Sequence, residues 1–348
     1  MISAAFRDAI LWQAATCEGM GAPFTAAVLR ACAEPEAAAA LAPLLQLYDD
    51  PSAKALVIGA FPLRILGGLH FLVLSGAAPG LAALYAAETP DGLGGEVAAA
   101  ATAHPAVLAR FLASPPQTNE VRRSLALIGG FLTVAQETGL PLCCLELGAS
   151  AGLNMNWDRY AYDFGAGRRW GDPDAPLTLS GEWTGGPPPL DARVEVVEKR
   201  ACDQAPIDVR SEEGALRLQA YIWPEQRERL DRIRAAIALA RETDLVVEAA
   251  DAADWTAACA DPTQGVATIV YHSIFLQYPP PEVQAAILAA IAAKGAAATA
   301  DAPFAWLRME PKPENPIEVE VRLTLWPTGR DVRLAEAHSH GAAVNWLA

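Results

Sequence analysis

The chain predicts an α/β fold, a doubly wound sheet preceded by a helical domain. Two observations carry this. Up to Gly139 the apolar residues recur with a helical period and no run has a period of two, whereas beyond it short apolar runs alternate with helical segments. The first of those runs also feeds a glycine-rich turn, "LELGASAGLN" (145–154), of the kind found between a strand and a helix. The expected division is a helical domain over 1–117 and a sheet domain over 118–348.

Each element follows from local chemistry. Pro23 suits the first turn of a helix through "FTAAVLRAC", and Asp50-Pro51-Ser52 separates two helices. His104-Pro105 opens "AVLARFLA", which stops at Pro115-Pro116, and Thr118 or Asn119 caps a segment ending at Gly139. The strand-type runs are "PLCCLEL", "ARVEVVEK", "DLVVEAA", "GVATIVYHSI" and "PFAWLRME". A charged helix, Pro224 to Arg241, separates the second from the third, and "PEVQAAILAAIAAKG" separates the fourth from the fifth. Strands separated by helices imply parallel pairing. "EVEVRLTLWP" and "RDVRLAEAH", joined at Thr328-Gly329, read as an antiparallel hairpin edge. The segment 157–190 is rich in Trp, Tyr, Gly and Pro and reads as an insertion of the lid or interaction-surface kind.

Composition narrows the class. A chain of 348 residues with 52% apolar content can form one large core or two modest ones. A net charge of −15 disfavours nucleic acid and anionic membranes as partners. Arg122-Arg123 and Arg168-Arg169 are only pairs, of the usually solvated kind. The six cysteines have no C-x-x-C or other metal spacing, and the first 21 residues, with Arg7, Asp8 and Glu18, do not read as a leader; a reducing cytoplasm is expected. Ile65 to Ala87 lacks Asp, Glu, Lys and Arg over a length that could span a bilayer, but its Ser75-Gly76 and Pro79-Gly80 breaks favour buried helices.

The glycine turn admits several chemistries. As G-x-S-x-G it is the nucleophile elbow of a serine hydrolase, with Asp251 or Asp301 and His338 or His340 downstream. That fold needs earlier strands and an oxyanion loop upstream, where this chain is helical, and Glu146 would sit on the strand feeding the nucleophile. The dinucleotide fingerprint G-x-G-x-x-G needs three residues where this turn has two. As E-x-G-x-S-x-G, Gly148 permits the tight turn, Gly152 a close helix approach, and Ser150 is a spacer.

Strand–E-x-G-x-S-x-G–helix resembles motif I of the class I S-adenosylmethionine-dependent methyltransferases, with serine at the middle glycine. The resemblance implies a Rossmann-like methyltransferase-type sheet that binds S-adenosylmethionine through Glu146, Gly148, Ser150, Gly152 and Asn154. It implies ribose binding by Asp203 in "VVEKRACDQAPIDV", with Glu198 as rival, and adenine contacts from Asp251 and Asp254 in "VVEAADAADW". Most of the chain also resembles a bacterial family of unknown function, through "LHFLVLSG", "LELGASAGLN", "CDQAPIDV", "WPEQRERL" and "YHSIFLQY".

The fourth strand delivers Tyr271, His272 and Ser273 to the edge where an acceptor would lie. His272 is the candidate base; the competing reading is a core histidine. Tyr278, Trp157 and Tyr160 are expected to close over the pocket, favouring a small-molecule acceptor. "PPQTNEVRR" is either a capped helix start or a wall of the cofactor pocket. Trp223, Gln226 and Arg229 read as a packed helix start, and His338 and His340 as a surface pair with no third metal ligand. The leading expectation is an S-adenosylmethionine-dependent methyltransferase. The alternative is a catalytically inactive Rossmann-like binding or scaffold protein, with the serine hydrolase third.

Overall fold

The computed structural model describes residues 3–47 and 52–348, so Asp50 and Pro51 of the expected break lie outside it. The chain divides into two compact units, Met1–Thr118 with Arg210–Arg234, and Asn119–Val209 with Ala235–Ala348. Segment 210–234, assigned by sequence to the sheet domain, thus groups with the helices.

The helical unit contains α1 (Ala4–Gly19), α2 (Pro23–Cys32), α3 (Pro35–Leu41), α4 (Ala53–Ile58), α5 (Phe61–Leu74), α6 (Pro79–Ala87), α7 (Leu93–Ala103) and α8 (Pro105–Leu112). Ser3 and Ser52 cap α1 and α4, while prolines begin α2, α3, α6 and α8, where the missing N–H costs nothing. The uncharged stretch becomes α5 and α6, bent by 100°, and among the described residues no single helix is long and apolar enough to cross a membrane. Ile65, Leu69 and Leu72 of α5 are buried.

The second unit opens with α9 (Arg123–Thr138) and β1 (Leu142–Leu147). A 3₁₀ segment, Leu153–Arg159, then leads to β2 (Ala161–Asp163), β3 (Arg169–Trp170), β4 (Thr178–Ser180), β5 (Glu182–Gly185) and β6 (Val196–Asp203). The chain then enters the helical unit, to which α10 (Glu212–Ala220) and residues 227–234 of α11 (Arg227–Arg241) belong, and the second unit resumes with the rest of α11, β7 (Val247–Ala249), α12 (Ala252–Cys259), β8 (Ala267–Ser273) and α13 (Pro281–Ala297). The chain continues through β9 (Phe304–Lys312), β10 (Asn315–Trp326), β11 (Arg330–Ala337) and β12 (Ala343–Trp346).

Nine strands form one sheet in the order β5-β12-β11-β10-β9-β8-β1-β6-β7. The run from β7 to β9 is parallel, and β9, β10, β11 and β12 pair antiparallel. β1 and nearly all of β8 are buried on both faces, which is why they read as continuous apolar runs. One face carries Cys143, Leu145, Leu147 and Val270 against Trp255 of α12 and Ile287 and Ile291 of α13. α9 covers the other face. A Cβ on its Gly129 would lie 2.3 Å from the Trp346 ring, and one on Gly130 2.3 Å from Leu307, so the glycine pair permits close seating.

The 157–190 insertion is built into the unit. β3-β2-β4 form a small sheet, and β5 pairs in parallel with β12 to complete the large one. Between β6 and β7 the chain runs through the helical unit, where the Glu225 carboxylate accepts from Thr25 N at 2.7 Å and Thr25 Oγ1 at 2.6 Å. Those donors belong to the first turn of α2, where a carboxylate also meets the helix dipole favourably. Trp223 packs on the helical core and Arg229 donates to Gln226 Oε1 at 3.0 Å, so this segment is a packed helix start.

Candidate functional site

The carboxyl end of β1 turns at Gly148 (φ 65), Ser150 (φ 56) and Gly152 (φ 72). The serine at the middle position thus adopts the left-handed conformation that glycine takes freely. Gly148 is further constrained by space, since a Cβ there would lie 2.2 Å from the Phe275 ring. At Gly152 a Cβ would lie 2.8 Å from Val247 of β7, and the segment that follows is 3₁₀ rather than the expected α-helix.

Neighbouring strands hold this turn. Asp203, the last residue of β6, accepts Ser150 N on Oδ2 and Ala205 N on Oδ1, each at 2.8 Å. Ala149 N donates to Cys202 O at 3.1 Å and Ile207 N to Ser150 O at 3.1 Å. From the chain ahead of α9, Asn119 Oδ1 accepts Leu153 N at 2.8 Å, and Ser124 Oγ donates to the buried Asn154 Oδ1 at 2.7 Å. Asn119 of "PPQTNEVRR" and Ser124 just after it thus brace this turn. Asp251, just past β7, caps α12 by accepting from Ala253 N at 2.8 Å and Asp254 N at 3.3 Å, while Asp254 is exposed. Glu198, the rival for the ribose, lies within β6, where its carboxylate faces the Cys143 thiol at 3.6 Å.

Glu146 sits beneath the turn, 3% exposed, its Oε2 accepting from the Tyr271 hydroxyl at 3.2 Å. Burial pushes its carboxyl up to about 8 despite the Tyr271 bond, with Asp203 adding to the rise and Arg123 opposing it. It is a mostly protonated acid under the loop at neutral pH. Tyr271 is likewise buried, and its hydroxyl is held well above the usual range by burial and by Glu146.

Three expectations need correction. His272 is not available as a base. Its ring is fully buried, its Nδ1 faces Glu310 Oε1 at 2.6 Å, and its Nε2 accepts from Trp306 Nε1 at 3.0 Å. Residues alternate across a strand, and Glu146 pairs in register with Tyr271, so His272 projects to the opposite face. Trp157 and Tyr160 are not a lid: both are fully buried, Trp157 stacks on Phe131 at 4.0 Å, and the Tyr160 hydroxyl donates to Leu153 O at 2.5 Å. With them goes the argument for a small acceptor. Finally, Arg122 and Arg123 are not simply solvated, because Arg122 Nε donates to His340 O at 3.3 Å and Arg123 to Ser339 O at 2.9 Å and Ser273 O at 3.4 Å.

Ser273 remains partly accessible at the end of β8, and Tyr278 beyond it is 69% exposed. Ser150 Oγ is buried and, among the described residues, has no hydrogen-bond partner, histidine included. The elbow reading therefore lacks its base. His338 and His340 pack edge to face at 5.5 Å, and among the described residues no three His, Cys, Asp or Glu side chains could hold a metal ion. A separate cleft of about 330 Å³, bordered by Thr133, Pro187, Leu325 and Arg330, shares no residue with the turn.

Glu310, near the end of β9, escaped notice in the sequence. Its Oε1 accepts from His272, from Phe275 N at 2.8 Å and from Leu276 N at 3.3 Å. The available signal was a carboxylate closing the apolar run "PFAWLRME". Asn156 was also missed: it is fully buried, and among the described residues neither atom of its amide has a partner.

The chain belongs to the family described as an uncharacterized protein conserved in bacteria (DUF2332), which matches residues 7–346. No curated protein and no solved structure matches it.

Proposed function

We propose that the carboxyl edge of β1, β6 and β7 binds S-adenosylmethionine and that the protein transfers its methyl group to an acceptor. The observation that carries this reading is the bond from Ser150 N to Asp203. It places a carboxylate at the end of the second parallel strand beside a glycine-type turn at the end of the first. Numbered along the chain, the parallel strands lie in the order 3-2-1-4-5, as in dinucleotide-binding sheets, whose ligands sit beyond the carboxyl ends where the order reverses. Here the reversal falls between β1 and β8.

The residues fit such a group. Ser150 Oγ is a buried hydroxyl without a partner, and a polar ligand atom on the turn would satisfy it. Asp203 spends one bond per oxygen on the backbone, leaving lone pairs for a pair of ribose hydroxyls. Asp251 has one oxygen committed to the α12 cap. When bound, the sulfonium would supply an activated methyl group.

The chain's own part is then mainly alignment. Gly148, Ser150 and Gly152 would hold the methionine end, Asn154 would brace the turn through Ser124, and Asp203 would orient the ribose. Glu146 and Tyr271 form a buried, proton-bearing floor. With His272 enclosed, no base is offered from β8, which favours acceptors that are nucleophilic without losing a proton first. The same enclosure favours the second reading, a Rossmann-like module that binds without turnover.

Calorimetric titration with S-adenosylmethionine, S-adenosylhomocysteine and NAD tests both. Binding of the first two but not NAD is expected. Binding with no transfer across an acceptor panel would support the second reading, and no binding of either would overturn the first.

A further inference from the structure

Ile274, immediately after β8, has φ 50. A β-branched residue in the left-handed region is a genuine outlier, and such strain persists only where the surroundings over-determine it. The surroundings here are all from β9. Ile274 N donates to Met309 O at 2.8 Å, and the next two amides donate to Glu310 Oε1. Glu310 is fixed in turn by His272, whose other nitrogen is fixed by Trp306. The residue delivered by this arrangement is Phe275, whose ring fills the space a Cβ on Gly148 would need.

We infer that Glu310, itself held by His272, is a positioning residue for the glycine turn, acting on the amides that follow the strained Ile274 to wedge Phe275 against Gly148. The fifth parallel strand thereby sets the shape of the loop after the first. The chain of contacts runs Trp306–His272–Glu310–Phe275–Gly148, and none of the first three faces the proposed ligand. As regards ligand affinity the inference rests on the proposed nucleoside site; as regards the geometry of the turn it does not.

Hydrogen exchange of the full-length protein, resolved residue by residue, separates the two. In Glu310→Ala, exchange should quicken at least tenfold at Ile274, Phe275 and Leu276, and also at Ala149, Ser150 and Gly152. The capping amides Ala253 and Asp254 should keep their wild-type rates. Glu310→Gln, which keeps an acceptor oxygen, should restore most of the protection. Phe275→Leu should loosen the 149–152 amides while leaving Leu276 protected, and it decides the matter if Glu310→Ala does not fold. Fast exchange confined to 274–276, with the glycine turn unchanged in both Glu310→Ala and Phe275→Leu, would overturn the inference. If the wild type binds S-adenosylmethionine, Glu310→Ala should weaken binding at least tenfold and Glu310→Gln less. If the wild type does not bind it, the nucleoside reading fails, while the exchange rates still decide the positioning role.

Discussion

The backbone amide of Ser150 and the carboxylate of Asp203 meet at 2.8 Å, although Ser150 lies in the turn after β1 and Asp203 ends β6. The pair ties the ends of β1 and β6 together, so Asp203 serves the turn as well as any ligand. Asp203→Ala should lower S-adenosylmethionine affinity by about 1.5–3 kcal/mol and also lower the melting temperature, because a backbone N–H loses its acceptor. Asp203→Asn keeps one oxygen and should fall between. Calorimetry paired with thermal unfolding measures both, and an unchanged melting temperature in Asp203→Ala would deny the structural half.

Ser150 occupies a glycine conformation, with φ 56. Ser150→Gly should therefore be neutral or stabilising by up to about 1 kcal/mol, with ligand binding retained. Ser150→Val should destabilise, since a β-branched residue tolerates this region worst. Denaturant melts of the two variants give the sign directly. A fluorophosphonate probe should leave Ser150 unlabelled; labelling would revive the elbow reading.

Glu146 gives a pH dependence of defined sign. Its folded carboxyl titrates at about 8, above the ordinary 4.5, so the native state holds a proton that the unfolded chain releases. Its contribution is fully present below about pH 4.5 and is lost as pH rises through about 8. Glu146→Gln cannot ionise and still offers Tyr271 an oxygen. The variant should gain stability on wild type as pH climbs through that window, by an amount on the order of a few kcal/mol. Equal pH profiles for the two proteins would show that Glu146 is not protonated when folded.

His272→Ala should be costly for a structural reason. It strips Trp306 of an acceptor and Glu310 of a donor and leaves a cavity where the ring was. A loss of about 2–4 kcal/mol is expected in equilibrium unfolding. An unfolding curve that matches wild type would mean that the enclosed geometry is not the one populated in solution.

Much of the parallel half was legible because its strands are buried on both faces and therefore stand out as unbroken apolar runs, "PLCCLEL" and "GVATIVYHSI" above all. What sequence could not supply was facing. Tyr271 and His272 are adjacent, and only the register with β1 decides that the first meets Glu146 while the second meets Trp306. The insertion was opaque for another reason. β2, β3 and β4 are two or three residues long, shorter than any periodicity can reveal, so Trp157 and Tyr160 read as loop aromatics although the fold buries them. Segment 210–234 hid behind its charged helical pattern, which gives no hint that Glu225 caps α2. Asp203, by contrast, entered through the resemblance to methyltransferases alone, and its place beside the Ser150 amide is seen only in the structure.

The pairing of β5 with β12 joins Glu182–Gly185 to Ala343–Trp346, strands encoded far apart. During synthesis Glu182–Gly185 leaves the ribosome long before its partner exists, and an unpaired strand is a template for the wrong neighbour. Trp183, stacked on Trp346 at 6.0 Å in the finished sheet, is without that cover while the chain waits. The interval before the sheet closes is thus one in which the edge that β12 will cover lies open. Shortening the chain before Ala343 would make that interval permanent.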